Sequence, residues 1–401
     1  MRGGERNAVQ VVPGRAKEVL PSDGHSRRIA HLTTVHSPLD VRIFHKECKS
    51  IAQAGYRVTL IACHDRDEVK DGVNIRSLPK MRGRFARMVR GSWGIHREAV
   101  RQDADLYHFH DPELLLVGLL LRIRGKIVVY DVHEDVSADI AEKHYIPRVF
   151  RRRLAQLVSG LESLSSGFFS AVVTATPTIL KRFDRLTQPR MVVSNYPILD
   201  ELKTAISPIW EQRSLAVGYV GVLARDRCIP EIVEAMSLLP KELKATLKLA
   251  GNFSPPSLKE QLTETAGWER TCVMGVLDRG GVANLLANVR AGLVVLKPTR
   301  GFLDSVPVKM FEYMAAGIPV IASDFPGFRE IVEGASCGIL VPPDDPLRIS
   351  RAIEHILTHP EDAKEMGKRG QEAVTQRFNW ASEESKLLEL YRALLDPPCA
   401  A

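Results

Sequence analysis

Cysteine is scarce in this chain, and its spacing excludes two kinds of protein. The six cysteines lie far apart and form no CxxC pair: Cys48, Cys63, Cys228, Cys272, Cys337 and Cys399. Clustered cysteines would indicate a metal site or a disulfide framework. Their absence predicts a reducing cytoplasm, where isolated cysteines serve as small buried hydrophobic residues.

Long apolar runs are also lacking. A membrane helix needs about 18 apolar residues, and the longest run here, Leu114 to Leu121, is predicted to form a buried helix instead. Residues 1–27 are polar and glycine-rich without an apolar core, which predicts a disordered leader rather than a secretory signal. With 401 residues, 45% hydrophobic and 26% charged, the chain is long enough for two globular domains.

Two nucleotide-binding signatures are missing as well. There is no Walker loop, and no GxGxxG follows the first predicted strand, whose loop reads HSPLDVRIFHK. This counts against a dinucleotide dehydrogenase.

Apolar segments alternate with helical patterns along the whole chain. Strands are predicted from Arg28 to Thr34 and from Tyr56 to Ala62, and the alternation restarts after a polar stretch near 195–214. This pattern predicts two Rossmann-like α/β domains, 28–200 and 210–380, each with a doubly wound parallel sheet, facing each other across a cleft. A last helix, 381–396, follows the second sheet, and its return to the first domain is left open.

Positive charge is concentrated between Lys80 and Arg101. Phe85, Met88 and Trp93 are interleaved with one acid, Glu98, and with seven basic residues: Lys80, Arg82, Arg84, Arg87, Arg90, Arg97 and Arg101. One interpretation is a solvated helix face, and the other is a patch on an anionic membrane, where each basic residue adds about 1 kcal/mol. Nucleic acid ranks lower, because no recognised binding module accompanies the charge.

The segment 304–346 carries the strongest functional signal. Asp304 and Glu312 are separated by seven residues, and Pro307 suits the first position of a short helix that ends at Gly317. The N-terminus of such a helix attracts anions, while a carboxylate accepts hydrogen bonds from neighbouring hydroxyls. A ligand with both phosphate and hydroxyl groups, such as a nucleotide sugar, fits this pattern.

Histidines and acids follow two predicted strands of the first domain. His133, in YDVHED, comes directly after a strand and is predicted to point into the cleft. In HFHD, His108 is predicted to be a buried core residue with its hydrogen bonds satisfied. For His110, a functional role and a core role are equally favoured. Asp40 and Arg42 are expected at the cleft mouth. These motifs could also bind a metal ion, but this interpretation ranks below sugar binding, because no other residues of the sequence are spaced like metal ligands.

Taken together, these motifs resemble a known enzyme family. FEYMAAGIPVIASD, the acid-x7-acid spacing and GFREIVEG are similar to the retaining glycosyltransferases of family 4, which have the GT-B fold. HSPLDVRIFHKECKSIAQAGYRVTLI, HFHDPELLLVGLLL and YDVHED resemble bacterial members from cell-surface polysaccharide pathways. The resemblance covers residues 28–396.

The resemblance assigns catalytic roles to four positions. It implies that Glu312 holds the donor ribose and that Asp304, where the family usually has Glu, contacts the donor sugar. His133 matches a histidine that hydrogen-bonds the transferred sugar. Arg227 matches a phosphate-binding lysine, but Val222 replaces the arginine that usually accompanies it.

Further residues are expected around the donor. Either Arg225 or Lys309 would supply the second positive charge, so that no divalent ion or other cofactor is required. The donor-binding residues are therefore expected to include Lys309, Arg225, Ser305, Val306 and Gly275.

The resemblance implies a retaining glycosyltransferase. The second domain would bind a nucleoside-diphosphate sugar, and the first a glycan, lipid-linked or small-molecule acceptor, in cell-surface polysaccharide biosynthesis. The expected location is the cytoplasm, and the basic patch adds the expectation of a peripheral position at the inner membrane face. Two alternatives stay open: a sugar-nucleotide epimerase or hydrolase on the same fold, and a catalytically weak partner subunit of a glycosyltransferase complex.

Overall fold

A computed structural model of the chain contains two large parallel sheets. The structure describes residues 27–81, 83–133, 148–199, 210–303 and 306–396. The predicted leader, except its last residue, lies outside the described residues. So do two of the predicted site residues, Asp304 and Ser305.

Eight strands form the first sheet in the order β3-β4-β2-β1-β5-β6-β7-β8, and only β3 and β4 pair antiparallel. The strands are β1 Arg28–Leu32, β2 Arg57–Cys63, β3 Glu68–Lys70, β4 Val73–Leu78, β5 Leu106–Phe109, β6 Ile127–Val132, β7 Ala171–Thr174 and β8 Arg190–Val192. The chain adds strands first on one side of β1 and then on the other. A topological switch point, where ligands of such sheets bind, therefore lies between β1 and β5.

The second sheet has six parallel strands in the order β13-β11-β9-β14-β15-β16, beside a two-stranded pair of β10 and β12. The strands are β9 Ala216–Val220, β10 Leu223–Ala224, β11 Thr246–Ala250, β12 Phe253–Ser254, β13 Thr271–Gly275, β14 Ala291–Val294, β15 Val320–Ser323 and β16 Gly338–Val341. Its switch point lies between β9 and β14.

Helices cover both faces of each sheet. In the first domain they are α1 Lys49–Gln53, α2 Arg84–Ala86, α3 Ser92–Gln102, α4 Leu115–Ile123, α5 Arg148–Ser166 and α6 Pro177–Lys181. In the second they are α7 Ile229–Ser237, α8 Ser257–Thr263, α9 Arg279–Ala287, α10 Arg300–Leu303, α11 Val308–Ala315, α12 Pro326–Val332, α13 Pro346–Thr358 and α14 Pro360–Gln376. The last helix is α15 Trp380–Leu395.

Tighter and wider turns complete the helical structure. π-Helical turns are Val41–Cys48, which runs into α1, and Arg87–Gly91, which joins α2 to α3. The 3₁₀ turns are Pro112–Leu114, Trp210–Gln212, Arg225–Arg227, Lys241–Leu243 and Ala266–Arg270. The stretch 84–102 is therefore one continuous helical segment, called the basic helix below.

The last helix belongs to the core of the first domain. The side chains of Trp380, Leu387 and Tyr391 are buried in the same apolar cluster as Ile43 and Val58. The Trp380 indole also donates a hydrogen bond of 2.8 Å to the hydroxyl of Ser50. The chain thus crosses back after the second sheet, and α15 covers one face of the first sheet.

Three parts of the first domain differ from the sequence analysis. The short strands β3 and β4 were not predicted, since they span only three and six residues on one side of the sheet. The run from Leu114 to Leu121 was expected to be buried, but α4 is amphipathic and leaves Leu116 67% exposed. No helix among the described residues combines the length and the apolar character needed to span a bilayer.

Because α15 packs into the core of the first domain, truncating its buried side chains should lower the free energy of unfolding strongly. Leu387 is only 1% exposed, so Leu387→Ala should lower the free energy of unfolding by about 2–5 kcal/mol through the lost burial and the cavity. Ser385→Ala, on the exposed face of the same helix, is the control and should stay within about 0.5 kcal/mol. Urea unfolding measures both, and equal effects would contradict this packing.

Candidate active site

Glycines end three neighbouring strands of the second sheet. Gly221 follows β9, Gly251 follows β11 and Gly275 ends β13, with φ angles of +133°, +147° and +71°. The Gly251 amide donates a 2.7 Å hydrogen bond to the Gly275 carbonyl, and a Cβ on Gly251 would lie 1.8 Å from the Gly221 carbonyl oxygen. Gly251 therefore cannot carry a side chain, and the positive φ angles favour glycine at the other two strand ends.

The helix α11 follows β14 at the switch point and presents charged residues there. Glu312 is 8% exposed, and its Oε1 accepts a hydrogen bond of 2.8 Å from Arg279 Nη1. Arg279 starts the helix α9, which Asp278 caps by accepting from the Gly281 amide. The sequence analysis assigned no role to the Arg279 side chain, because 33 positions separate it from Glu312.

Lys309 is a buried cation beside Glu312. Its Nζ lies 3.7 Å from the centre of the Tyr219 ring and has no hydrogen-bond partner among the described residues. Burial and the charge of Arg227 lower the pKa of Lys309 well below its usual value, although Glu312 opposes the shift. A bound anion would supply the missing hydrogen-bond acceptor and would raise this pKa again.

Arg227 stands next to this lysine. It hydrogen-bonds Tyr219, whose pKa burial raises to about 12 despite the nearby guanidinium. Its Cζ also lies 5.3 Å from the centre of the Phe302 ring. Arg227, Lys309 and Glu312, predicted from separate parts of the sequence, are thus brought together at the switch point between β9 and β14.

The other predicted donor residues are placed differently. Arg225 is exposed and hydrogen-bonds Gln261 on α8, outside the group formed by Arg227 and Lys309. Val306 is half-buried and packs on the core of the second domain. Of the two candidates for the second positive charge, Lys309 is therefore the one that lies beside Arg227.

In the first domain, Asp131 is the centre of a buried polar network. Its carboxylate accepts hydrogen bonds of 3.0 and 2.9 Å from Arg42 Nε and Nη2 and one of 3.0 Å from His110 Nδ1. The Nδ1 of His133 lies 3.6 Å away. Burial alone would raise the pKa of Asp131, but Arg42 and the histidine hydrogen bonds hold it well below its usual range.

His133 lies at the rim of this network. Its Nε2 is 2.9 Å from Nε2 of His36, which itself lies 3.4 Å from Asp111. Asp111 is buried and accepts hydrogen bonds from the hydroxyl of Thr33 and the amides of Thr34 and Val35. The loop after β1 is thereby fixed beside His133 at the carboxyl edge of the first sheet.

One prediction for this region is wrong. Arg42 was expected at the cleft mouth, but it is 5% exposed and hydrogen-bonds Asp131 and the Val193 carbonyl. Asp40 caps the following helical turn by accepting from two backbone amides. His108 is a fully buried core residue, as expected, and its Nδ1 hydrogen-bonds Tyr391, while its Nε2 has no partner among the described residues.

Comparison with known proteins decides the family. A family model described as Glycosyl transferases group 1 matches residues 207–373, and a second, Glycosyltransferase Family 4, matches residues 41–195. The two matches lie on the two sheet-centred halves of the chain. The chain belongs to the GT-B glycosyltransferases of the family 4 type. The family and the two-domain α/β fold expected from the sequence are both confirmed.

Solved structures share the fold of this glycosyltransferase. Sucrose-phosphate synthase from Thermosynechococcus elongatus has a TM-score of 0.72 and 19% identity, covering 92% of this chain and 99% of the other. Anabaena HepE in complex with UDP and glucose has a TM-score of 0.70 and 16% identity, covering 92% and 100%. At these identities the similarity shows the fold alone.

Similarity to curated proteins is more local. The chain is 31% identical over 138 residues to a phosphatidyl-myo-inositol mannosyltransferase of Mycobacterium leprae, which is 34% of this chain and 36% of that protein. The chain spans about half or less of the length of the curated relatives it matches.

The network around Asp131 predicts a large effect of removing its cation. Arg42→Met should lower the free energy of unfolding by about 3–5 kcal/mol, because Asp131 would remain buried without its partner. Arg76→Met is the control: Arg76 pairs with Asp67 at 2.8 Å, but both side chains are about half exposed, so its loss should cost at most about 1 kcal/mol. Similar values in urea unfolding would contradict the assignment.

The lowered pKa of Lys309 predicts pH-dependent anion binding. Only the ammonium form attracts a diphosphate, so affinity should be full below the Lys309 pKa and fall as the pH rises through it. Because burial lowers that pKa, the fall should come well below the ordinary value of 10.5. Calorimetry with UDP as a diphosphate probe, above about pH 7 where its phosphates are ionised, measures this dependence.

Lys309→Arg is the matched control for this titration. Its guanidinium stays charged across the whole range, so its affinity for UDP should not change in the same window. A wild-type profile as flat as that of the variant would show that Lys309 does not meet the diphosphate.

Proposed function

We propose that this glycosyltransferase moves a sugar from a nucleoside-diphosphate sugar to an acceptor held by the first domain, with retention of anomeric configuration. This proposal rests on the group formed by Lys309, Arg227 and Glu312 at the switch point of the second sheet. Two cations, one of them buried without a hydrogen-bond acceptor, stand beside a carboxylate. This is the complement of a ligand that carries a diphosphate and a diol.

The second domain would stabilise the leaving group. As the bond between the sugar C1 and the phosphate oxygen breaks, negative charge develops on the diphosphate. Arg227 and Lys309 interact more strongly with that growing charge than with the intact donor, which lowers the barrier. Glu312 would accept hydrogen bonds from the ribose hydroxyls and fix the donor in place, and Asp304 is proposed to contact the sugar hydroxyls.

The first domain would align the sugar and the acceptor. His133 lies at the carboxyl edge of its sheet, and the buried Asp131 and the neighbouring His36 orient its ring. In the proposed step the acceptor oxygen forms the new bond to C1 on the face that the diphosphate leaves. The acceptor proton passes to the departing phosphate oxygen, so positioning rather than a dedicated carboxylate base drives the reaction.

Relatives support the choice of donor and acceptor classes. Structures of HepE contain UDP or UDP-glucose, which favours a nucleotide sugar for this chain. The mannosyltransferase relative is named for phosphatidyl-myo-inositol, which favours a lipid-linked acceptor at the inner membrane leaflet, as in cell-surface polysaccharide synthesis. We propose both for this enzyme.

An exposed surface of the first domain suits such an acceptor. The basic helix leaves Phe85 80% and Trp93 62% exposed beside the exposed Arg90 and Arg97. The helices α3, α4 and α5 follow one another on this face of the sheet, and the latter two add exposed leucines: Leu116, Leu157, Leu161 and Leu164. Apolar side chains amid positive charge are the pattern of a surface that rests on anionic lipid.

Replacing Glu312 tests donor binding. Glu312→Gln should weaken the binding of UDP-glucose or GDP-mannose, whichever the wild type binds more tightly, by about 10- to 100-fold, because charge-assisted hydrogen bonds contribute about 1.5–3 kcal/mol. Glu330→Gln, on the exposed side of α12, is the control and should bind like wild type. Calorimetry measures all three, and wild type that binds neither nucleotide sugar would contradict this donor class.

Reversing two charges tests the membrane surface. Arg90→Glu with Arg97→Glu should weaken binding to vesicles rich in phosphatidylglycerol by about 2 kcal/mol or more, roughly 30-fold. Arg348→Glu with Arg351→Glu makes the same charge change on the exposed side of α13 in the other domain. Vesicle sedimentation compares them, and equal partitioning of the two variants would favour a merely solvated helix.

A further inference from the structure

Four side chains converge beneath the last helix, away from Lys309 and Glu312. His31 on β1 and His108 on β5 are register partners in neighbouring parallel strands, so their side chains lie next to each other on one face. His110 comes two residues later and returns to that face. Glu47, on the π-helical turn Val41–Cys48, reaches the same point from above. All four side chains are fully buried, apart from 2% exposure of His110.

One carboxylate oxygen lies nearly equidistant from the three rings. The distance from Glu47 Oε2 is 3.8 Å to His31 Nδ1, 4.0 Å to His108 Nδ1 and 3.9 Å to His110 Nε2. The His31 and His110 nitrogens are 3.0 Å apart. A tetrahedral ion with bonds of about 2.0–2.1 Å holds its ligand atoms roughly 3.4 Å apart, and these separations bracket that value.

The hydrogen bonds within the cluster do not include Glu47. Because Asp131 is ionised, His110 donates from Nδ1 to it and offers a lone pair at Nε2, which accepts from His31 Nδ1. The remaining contacts of His31 and His108 run to the Tyr391 hydroxyl. Among the described residues, neither oxygen of Glu47 has a hydrogen-bond partner.

Two buried carboxylates, Glu47 and Asp131, lie near a single guanidinium. Neutral imidazole is the form that binds metal ions. The near cation, Arg42, lies 3.1 Å from Glu47 Oε1 but already forms two hydrogen bonds to Asp131. Asp131 holds the two best-placed donors of this guanidinium, and a bound cation would interact favourably with the carboxylate of Glu47.

We propose that His31, Glu47, His108 and His110 bind one divalent transition-metal ion of the kind that prefers imidazole, with Zn²⁺ as the reference. Three neutral imidazoles and a carboxylate are a suitable ligand set for such an ion. In the bound state His31 and His108 both carry their proton on Nε2, which leaves Nδ1 of each free for the ion. The Tyr391 oxygen accepts from His31 Nε2, and any proton on Glu47 is released to solvent. Asp131 remains behind His110 and orients it.

The ion has a structural role, because four protein ligands surround it and no position faces the cleft. It joins β1, β5 and the helical turn after β1 directly, and α15 through Tyr391. The site therefore fastens the returning C-terminal helix to the first sheet. It takes no part in the proposed transfer reaction, and its existence does not rest on that proposal.

Metal analysis of the full, untagged chain tests the site. Mass spectrometry of metals should find about one Zn²⁺ or similar ion per purified chain. After removal of metal with a chelator, calorimetric titration with Zn²⁺ should show one site, and Co²⁺ should give the visible absorption of a four-coordinate ion. A chain that contains no stoichiometric metal and binds neither ion overturns the proposal, whatever the variants do.

Variants locate the ion. Glu47→Gln keeps the size of the side chain but should weaken Zn²⁺ binding at least about 10- to 100-fold, and Asp131→Asn should weaken it by a similar factor through His110. His355→Asn is the matched control, since His355 lies in an exposed cluster with His359 and Asp362. If Glu47→Gln, shown to be folded by circular dichroism, keeps wild-type affinity, or if His355→Asn loses the ion, the proposed site is wrong.

Discussion

The wall of the cleft in the first domain depends on one buried carboxylate. Asp131, inside strand β6, binds Arg42 from the turn after β1 and His110 from the end of β5. Arg42 in turn donates to the Val193 carbonyl beyond β8. Four separate parts of the chain are therefore held at one point. Because an unpaired charge is costly away from water, each partner keeps the others in place.

The two domains treat buried charge in opposite ways. Around Asp131, donors and acceptors meet inside the protein. Around Lys309, the described residues give the ammonium an aromatic face but no acceptor. The first arrangement makes a rigid surface that can hold His133 in a fixed orientation. The second leaves an amine that a bound anion would complement. The two arrangements fit the roles proposed for the domains, a fixed wall beside the acceptor and a site for the diphosphate of the donor.

Local patterns in the sequence were sufficient for much of this architecture. Alternating strands and helices gave both domains, since the period of apolar residues depends only on near neighbours. The acid-x7-acid spacing singled out Glu312, and the resemblance to family 4 glycosyltransferases singled out Arg227. The burial of Arg42 was missed, because its partner Asp131 lies 89 positions away. The pairing of Arg279 with Glu312 and the meeting of Glu47 with three histidines are equally non-local.

One signal for the missed network was present. The strand sequence IVVYDV places an aspartate among apolar residues in the middle of a sheet, and a charge there requires a buried cation from another element. Arg42, in the otherwise amphipathic segment VRIFHKEC, was available for that role. The strands β3 and β4 contain no comparable buried charge: β3 has three residues at the edge of the sheet, and β4 alternates buried and exposed residues beside it.

The return of the chain to the first domain joins the two halves at one place. The outgoing and returning segments are bonded to each other, with the Trp380 amide donating to the Pro197 carbonyl at 2.9 Å. Beside them, Tyr196 packs edge-on against Phe311 and Phe378. The two crossings therefore lie side by side and form one junction between the halves. Phe311 belongs to this junction and precedes Glu312, so the carboxylate proposed to hold the donor ribose is anchored where the two halves are joined.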